Sequence, residues 1–419
     1  MYDYVVIGGG ITGLYTIDRL VEKYGNKKSY LLLDERNYFG GRLITHKQPH
    51  YEIGGARFND NHVLLKKLLK KYNLTKIPLN SQVDYIHHEN NSNEYYTNAD
   101  KTFNEIVGKI IKYSKKITIK ELSSYTLEEF IDKVSGSKEL STKLINIFGY
   151  SSEFTKMNAR DSLESLELDF VSSNFYVLKE GFSELCRRMV EDNKDYATIK
   201  NNTHVDGVNT FDDCYIIQST NVKTQKKHIF YGKKVIFALK ANQLNDFKIL
   251  KPIKEHINCI HSAPLLRIYA RYPSQKIYEN NPWFYKFNRM TTNSILRHII
   301  PIDPSTGLIM ISYTDGDDIN VFFKDKEKMI LKQDKTIKEM IKNELQKIFP
   351  SYKIPNPVYF KTHLWHIGAH HWKPRCNSKQ LYKKIRNPLN NVYVVGEAFS
   401  RKQAWIEGGL ESVEDSKLL

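Results

Sequence analysis

Short uncharged apolar runs alternate along the chain with longer segments of helical periodicity. The N-terminal part contains two such runs, Tyr4–Ile7 and Tyr30–Leu33. A run of this length predicts a strand that is buried on both faces, as in a parallel sheet. The glycine-rich segment Gly8–Gly13 and a helical pattern lie between the two runs, so the sequence predicts a strand–helix–strand unit.

Helical and strand-like patterns divide the rest of the chain into blocks. Apolar residues recur at helical spacing in Leu64–Tyr72, Phe103–Tyr113 and Leu127–Val134, with an interruption at Phe148–Phe154. The polar, Asn-rich residues 80–101 predict a loop or an irregular hairpin. The remaining predicted elements are strands at His204–Val208, Cys214–Ser219, Lys234–Leu239, Leu265–Tyr272, Leu308–Tyr313 and Asn391–Glu397, and a helix at Thr336–Ile348.

Length and composition predict a division into two domains. With 419 residues, of which 41% are hydrophobic and 12% aromatic, the chain is too long for one compact core. The first strand begins by Tyr4, which leaves no room for a signal peptide, and no apolar run reaches the length of a membrane span. We therefore expect a soluble, cytoplasmic protein with no membrane partner.

The formal net charge of +16 does not by itself indicate nucleic-acid binding. Lysines are scattered, and dense runs such as Lys66-Lys67 lie on the polar face of a predicted amphipathic helix. We expect reduced thiols, with neither a disulfide framework nor a thiolate metal site, because the cysteines are far apart and form no C-x-x-C pair. The four cysteines are Cys186, Cys214, Cys259 and Cys376. The sequence leaves the oligomeric state open, including a homodimer.

Three glycines near the N-terminus, Gly8, Gly10 and Gly13, have the G-x-G-x-x-G spacing of dinucleotide-binding folds. The first allows a tight turn, the second lets the backbone approach a pyrophosphate, and the third lets the helix pack against the strand. Asp34 follows the second predicted strand about 20 residues later, where a carboxylate can accept a hydrogen bond from an adenosine ribose. The pattern therefore predicts a dinucleotide site at the start of the chain.

The residues after the second strand favour FAD over NAD. Asp34–Arg42 resembles the E-x-R-x-x-x-G-G-R segment of the flavin-containing amine oxidase family, in a register that puts Asp34 at the ribose position. Further segments resemble the same family in the same order: Tyr51–Phe58, Val177–Leu185, Tyr393–Ala398 and Ala404–Ser412. Together they span nearly the whole chain, which is identified as a member of the monoamine, polyamine and L-amino-acid oxidase superfamily.

The resemblance implies an α/β fold. A Rossmann-like FAD-binding domain would comprise residues 1–63, 175–250 and 385–419. An inserted α+β substrate-binding domain, made of a sheet and helices, would comprise residues 64–174 and 251–384.

The resemblance also implies which residues contact FAD. A helix that begins at Ile406 would direct the positive end of its dipole at the flavin ring. We expect the FAD to be bound without a covalent link, because His371, not a cysteine, precedes the expected pocket residue Trp372. The implied FAD contacts are Gly8, Gly10, Ile11, Thr12, Gly13, Asp34, Glu35, Arg36, Gly41, Arg42, Gly55, Ala56, Arg57, Val205, Gly396, Glu397, Trp405 and Ile406.

Four residues are candidates for the substrate site. By resemblance, Trp405 faces the substrate and Trp372 supplies the opposite wall of an aromatic cage; core packing is the alternative role for both. Arg57 aligns with the arginine that pairs with the substrate carboxylate in L-amino-acid oxidases, unless it only braces the flavin. Arg267 takes the place of a lysine that holds a water near flavin N5, so we expect a slow reaction with dioxygen.

The family's reaction oxidises a primary or secondary amine, here an L-amino acid or a polyamine, to an imine. Hydride passes to flavin N5, and an oxidase returns the electrons to dioxygen as hydrogen peroxide. No metal site is expected, since no matching carboxylate accompanies the histidines His363, His366, His370 and His371. A flavin dehydrogenase or desaturase, and a flavoprotein scaffold without oxidase activity, are alternatives that the sequence leaves open.

Overall fold

The computed structural model describes residues 1–80, 82–171, 174–273, 284 and 287–419. Within them the strands are β1 (Tyr2–Ile7), β2 (Tyr30–Leu33), β3 (Thr45–His46), β4 (Tyr51–Glu52), β5 (Phe58–Asn59), β6 (Lys76–Pro78), β7 (Val83–Glu89), β8 (Ser92–Tyr96), β9 (Phe175–Leu178), β10 (Ala197–Lys200), β11 (Thr203–Phe211), β12 (Cys214–Asn221), β13 (Lys227–Phe237), β14 (Ile260–Arg271), β15 (Arg289–Thr292), β16 (His298–Asp303), β17 (Leu308–Asp315), β18 (Phe323–Asp325), β19 (Ile330–Leu331), β20 (Tyr359–Trp372) and β21 (Val392–Val394). The α-helices are α1 (Ile11–Tyr24), α2 (Val63–Lys71), α3 (Ala99–Ser114), α4 (Ile119–Leu122), α5 (Leu127–Ser135), α6 (Lys138–Phe148), α7 (Ser152–Thr155), α8 (Ala159–Asp169), α9 (Phe182–Asn193), α10 (Lys254–Ile257), α11 (Asp334–Ile348), α12 (Ser378–Ile385) and α13 (Ile406–Glu414).

The first sheet joins strands from the start, middle and end of the chain. Its order is β10–β2–β1–β13–β12–β11, and β21 also pairs with β13. The strands β10, β2, β1, β13 and β21 run parallel, whereas β12 and β11 form an antiparallel extension. Every residue of β2 is buried, and so are the last four residues of β1. This confirms the strand–helix–strand unit predicted from the apolar runs.

The second sheet has the order β20–β14–β17–β16–β15–β7–β8. Its longest pair, β14 and β20, runs antiparallel from Ile260 opposite Trp372 to Arg271 opposite Tyr359. The helix α11 packs Ile337, Ile341 and Leu345 into one core with buried residues of β14. A separate helical layer, α3 to α8, buries its own apolar cluster.

At the level of secondary structure, the expectations for two segments agree with the structure and one strand was missed. The polar residues 80–101 contain the hairpin β7–β8, which forms one edge of the second sheet. No strand was predicted over residues 359–372, where β20 lies, because its polar and aromatic residues do not alternate regularly. The Phe148–Phe154 interruption corresponds to the end of α6 at Gly149, where φ is 85°, followed by α7.

The expectation that all four cysteines are free thiols is wrong. Cys259 and Cys376 form a disulfide, with their Cα atoms 5.9 Å apart. The pair was hidden in the sequence by a separation of 117 residues. Antiparallel pairing of β14 with β20 brings the two cysteines together, because each lies just outside the paired ends Ile260 and Trp372.

The mixed α/β class is confirmed, since the first sheet is mainly parallel and the second is largely antiparallel. First-sheet strands come from residues 2–33, 197–237 and 392–394, and second-sheet strands from residues 83–96 and 260–372. The exact domain bounds stay a prediction. The helix α2, which the sequence assigned to the inserted domain, packs Leu65, Leu68 and Leu69 into the core beside the first sheet. Within the described ranges, no helix is long and apolar enough to span a bilayer.

Candidate active site

Two adjoining cavities contain most of the predicted site residues. The first cavity, of about 330 Å³, lies at the β1–α1 turn, the end of β2 and the segment between β21 and α13. The second cavity, of about 720 Å³, is lined by the second sheet and by the helical layer. Six residues border both cavities: Arg42, Gly55, Gly368, Ala404, Trp405 and Ile406.

Most of the predicted FAD contacts line the first cavity. They are Gly8, Gly10, Ile11, Thr12, Asp34, Glu35, Arg36, Gly41, Arg42, Gly55, Val205, Gly396, Glu397, Trp405 and Ile406. Ala56 and Arg57 line the second cavity instead. Gly13 is not among the described residues that line either cavity. A Cβ atom at Gly13 would lie 1.9 Å from the carbonyl oxygen of Gly8, so this glycine allows α1 to pack against β1.

The carboxylate of Asp34 is held at the end of β2 by two backbone groups. Gly9 N–H donates to Oδ2 at 2.6 Å, and Arg36 N–H donates to Oδ1 at 2.8 Å. Burial raises the pKa of Asp34, although these N–H groups oppose the rise. The carboxylate is thus fixed in one orientation and keeps acceptor capacity for a ribose hydroxyl.

A glycine cradle forms the floor of the first cavity. Gly10 precedes α1, and no side chain caps the N-terminus of this helix. Gly41 has φ of 64°, and a Cβ atom there would lie 3.1 Å from the Cα of Gly10. The free N–H groups of a helix N-terminus bind anionic oxygens, and the cradle leaves room for them.

Three cations border the first cavity: Arg36, Arg42 and Lys240. Burial, together with the positive charges of Arg36 and Arg42, lowers the pKa of Lys240 to about 8. An anionic ligand between these groups would relieve their repulsion. Sequence reasoning missed Lys240, although it directly follows the predicted strand Lys234–Leu239. The cradle and the cations therefore fit a dinucleotide with a pyrophosphate.

Glu397 links the walls of the two cavities. Its Oε1 accepts hydrogen bonds from Arg42 at 2.6 Å and lies 2.5 Å from His370 Nδ1; its Oε2 accepts from Ala404 N–H at 2.9 Å. Burial raises the pKa of Glu397, but Arg42 and His370 outweigh that effect and hold it well below its ordinary value. Arg42 also donates to the Gly368 carbonyl at 2.7 Å. The carboxylate therefore stays ionised and fixes residues of β20 against the first cavity.

The N-terminus of α13 borders both cavities. Trp405 is the residue before the helix, and Ala404 precedes it with φ of 65°, a left-handed value that alanine seldom adopts. Glu407, in the first turn, accepts from Leu64 N–H at 2.8 Å and from Leu65 N–H at 2.9 Å. Its buried carboxylate thus caps α2 and fixes the position of Trp405.

Arg57 lies in an aromatic box on the wall of the second cavity. Its guanidinium carbon is 4.7 Å from the ring centroid of Phe175 and 6.0 Å from that of Trp405. Phe170 and Tyr150 complete the box at 5.7 and 5.8 Å. No described residue forms an ion pair with Arg57. The guanidinium is therefore left with N–H donors for a ligand.

Arg267 also lines the second cavity and is 5% exposed. It donates to the backbone oxygen of Glu52 at 3.1 Å and to the hydroxyl of Tyr313 at 3.1 Å. Both acceptors are neutral, so the charge of Arg267 is not compensated by them. The guanidinium is nevertheless held in one position by two hydrogen bonds.

Trp372 does not supply the wall that the sequence predicted. It is 1% exposed, donates to the Ser400 carbonyl at 3.0 Å and belongs to the core behind the first sheet. Side chains alternate along a strand, and in β20 Ala369 and His371 face the second cavity while Trp372 faces the core. His371 is thus the wall residue; its Nδ1 has no partner in the described structure, and burial lowers its pKa to about 3.

Several other polar residues of the second cavity were not predicted. Glu153 is the first, and burial raises its pKa to about 8, with Asp315 and Asp169 adding to the rise and Arg57 opposing it. The Phe148–Phe154 interruption was the only sequence signal for this region. Others are Tyr150, Arg289, Tyr313, Asp315 and Trp365.

The histidines and cysteines bear on metal binding and on covalent attachment of the cofactor. The described residues contain no group of three His, Cys, Asp or Glu that could hold a metal ion. The residue before the cavity residue His371 is His370 and not a cysteine that could link to a flavin. The free cysteines Cys186 and Cys214 are buried and line neither cavity. Non-covalent binding of the cofactor stays a prediction.

Comparisons with known proteins agree on one family. The family model described as flavin containing amine oxidoreductase matches residues 11–413. An uncharacterized protein of Acanthamoeba polyphaga mimivirus is 22% identical over 99% of this chain and 92% of its own length. A probable flavin-containing monoamine oxidase A of Dictyostelium discoideum is 28% identical over 34% of this chain and 27% of its own. Putrescine oxidase bound to putrescine has the same fold, with a TM-score of 0.76, 13% identity and coverage of 99% and 97%.

Proposed function

The chain belongs to the flavin-containing amine oxidoreductase family, whose cofactor is FAD, and from this premise we propose that it is an oxidase of amines that carry a carboxylate. The substrate would be an amino acid rather than a polyamine. The product would be an imine, with dioxygen reduced to hydrogen peroxide.

The unpaired guanidinium of Arg57 carries this proposal. It lies beside Trp405, which borders both cavities, so a carboxylate bound to Arg57 would hold the attached carbon near the first cavity. A guanidinium forms two parallel hydrogen bonds with a carboxylate, and the aromatic box keeps water from competing. Diamines find a less favourable cavity, since burial keeps Glu153 largely protonated near neutral pH.

The cavity also favours the reactive form of the amine. Only a neutral amine can give up hydride from its α carbon, whereas amino groups are protonated in water at neutral pH. Arg57, Arg267 and Arg289 all line the second cavity and raise the free energy of a bound ammonium. The substrate proton therefore leaves more readily on binding.

The chain's own residues position and shield the substrate. When bound, FAD supplies the hydride acceptor and the route for electrons to dioxygen. Trp405 and His371 line the second cavity on separate segments, and their walls exclude water from the α carbon. Arg42, Lys240 and the start of α1 would hold the pyrophosphate. Arg267, fixed by Tyr313 and the Glu52 carbonyl, would place a positive charge near the site of oxygen reduction.

Anaerobic mixing tests the proposal. Purified FAD-loaded protein is mixed with amino acids and with their decarboxylated analogues, and bleaching of the visible flavin band is followed. We expect faster bleaching by the amino acids, and hydrogen peroxide on admission of air. Equal bleaching by the decarboxylated analogues would contradict the carboxylate requirement.

Matched variants test whether Arg57 binds the substrate carboxylate. Arg57→Ala should lower kcat/KM for amino acids about 100-fold with FAD retained, since a charge-assisted pair is worth about 2–3 kcal/mol. Arg271→Ala removes an exposed arginine at the end of β14 and should change nothing. Loss of FAD from Arg57→Ala would instead indicate a bracing role. Bleaching without peroxide would indicate a dehydrogenase or desaturase, and no bleaching by any amine a flavoprotein scaffold.

A further inference from the structure

A second unpaired arginine lies on the same cavity as Arg57. Arg289 is the first residue of β15, where it stands opposite Val83 of β7, and its side chain lines the second cavity. Its Nε atom is buried without a hydrogen-bond partner in the described residues. No ion pair to Arg289 is formed within the described ranges. Burying a charged donor in this way is costly unless a ligand completes its hydrogen bonds.

Two carboxylates that line the cavity with Arg289 form no ion pair with it in the described part of the chain. Asp100 lines the same cavity, but its Oδ1 accepts from the backbone N–H of Val83 at 3.0 Å and it forms no ion pair with Arg289 in the described structure. Asp315 is engaged by the N–H groups of Ser151 and Ser152 at 2.8 and 3.0 Å. Both carboxylates are therefore held by backbone groups and not by the guanidinium of Arg289.

Arg57 and Arg289 affect each other's surroundings. Burial, together with the positive charge of Arg57, lowers the pKa of Arg289 to about 10. Tyr150 lies 5.8 Å from the guanidinium of Arg57, and its ring centroid is 5.0 Å from that of Tyr313, which lines the same cavity as Arg289. The repulsion between these two positive charges decreases when a ligand places a negative charge beside each of them.

We propose that Arg289 binds a second acidic group, so that the substrate is an amino dicarboxylate held by Arg57 at one end and by Arg289 at the other. This rests on the proposed function, which assigns the first carboxylate to Arg57. The first carboxylate would lie beside Trp405, which Arg57 approaches, and the second would lie at the part of the cavity wall where β15 pairs with β7. A monocarboxylate amino acid would leave Arg289 unpaired and would bind less well.

Acid and amide pairs of equal size test this inference. The FAD-loaded protein is assayed with aspartate, glutamate and 2-aminoadipate, and with asparagine and glutamine. We expect at least one acid to exceed its amide at least tenfold in kcat/KM. In Arg289→Gln, kcat/KM for the best acid should fall at least tenfold, while kcat/KM for its amide changes less than twofold. Arg289→Lys should recover part of the lost kcat/KM. Arg187→Gln, at an exposed arginine of α9, is the control.

Binding without turnover separates this inference from the proposed oxidase activity. Succinate, glutarate and butyrate carry no amine and can only bind, which a shift of the flavin band would report. We expect a dicarboxylate to bind more tightly than butyrate, with the difference lost in Arg289→Gln. That result supports the inference even if no amine bleaches the flavin. Equal affinities in parent and variant, or equal losses for acid and amide, would overturn it.

Discussion

The two cavities share part of their walls but are built in different ways. The first is formed mainly by turns at strand ends, where glycines and backbone N–H groups come close together, and its carboxylates Asp34 and Glu397 are held by several donors. The second is formed by side chains from distant segments, and three arginines line it without a carboxylate partner among the described residues. The first is therefore suited to one fixed ligand, whereas the second is completed only by its substrate.

This difference indicates which of the two cavities tolerates amino-acid substitutions. A substitution in the first cavity meets backbone atoms that cannot move aside. A substitution in the second cavity meets side chains, so it alters which molecule is bound more than whether the protein folds.

The largest effect is expected at Gly13, which follows the first-cavity residue Thr12. Gly13→Ala would place a Cβ atom 1.9 Å from the Gly8 carbonyl oxygen, so β1 and α1 must separate. We expect a loss of at least about 3 kcal/mol in the free energy of unfolding and at least tenfold less FAD per chain. Thermal unfolding and the flavin absorbance measure both quantities. Gly108→Ala, within α3, is the control, because a Cβ atom there meets nothing within 4 Å. Equal FAD content in the two variants would contradict the close-packing role.

A pair of tryptophans separates core packing from substrate contact. Trp372→Ala removes a ring that is 1% exposed and should cost about 3–5 kcal/mol in the free energy of unfolding. Trp405→Ala removes a half-buried ring between the cavities and should cost less than about 2 kcal/mol, while kcat/KM falls at least tenfold. Denaturant unfolding and anaerobic flavin reduction provide the two readouts. The assignment fails if Trp405→Ala has normal kinetics.

The pH dependence of stability tests the buried carboxyl group of the second cavity. The pKa of Glu153 is about 8 in the folded protein and 4.5 ordinarily, so the folded state holds its proton while the unfolded state loses it. The contribution of Glu153 to the free energy of unfolding is therefore fully present below about pH 4.5 and is lost as the pH rises to about 8. Relative to the parent, Glu153→Gln should gain about 5 kcal/mol in the free energy of unfolding across this range.

Unfolding in denaturant at several pH values measures that gain. Glu167→Gln, at an exposed residue of α8, is the matched control and should follow the parent at every pH. Parallel curves for the parent and Glu153→Gln would show that the carboxyl group ionises normally.

The smallest effect is expected at Arg267. Its guanidinium spreads a permanent charge over a planar group, whereas a lysine would concentrate the charge nearer the reacting oxygen. After anaerobic reduction, Arg267→Lys should reoxidise severalfold faster than the parent and Arg267→Met severalfold slower. Stopped-flow mixing with aerated buffer gives the rates. If the three rates agree, Arg267 has no part in the oxygen reaction.

The contrast between the cavities also explains what the sequence could predict. Asp34–Arg42 and the glycine motif were found because a turn at a strand end has local requirements that adjacent residues must meet. Arg289 and Glu153 carry no such local signature, since they lie together only after distant elements pack. The phase of β20 was not predictable either, because no strand had been predicted there: Trp365, Ala369 and His371 face the cavity, whereas Trp372 lies in the core.

The disulfide would protect the chain against the hydrogen peroxide of the proposed oxidase reaction. Peroxide released from the second cavity would oxidise accessible thiols, and the half-buried Cys259 and Cys376 are already joined. The other two cysteines are buried, and burial raises the pKa of Cys186 to about 12, which leaves no reactive thiolate there. The lifetime of the working protein should therefore be limited by oxidation of methionine or of the flavin rather than of cysteine.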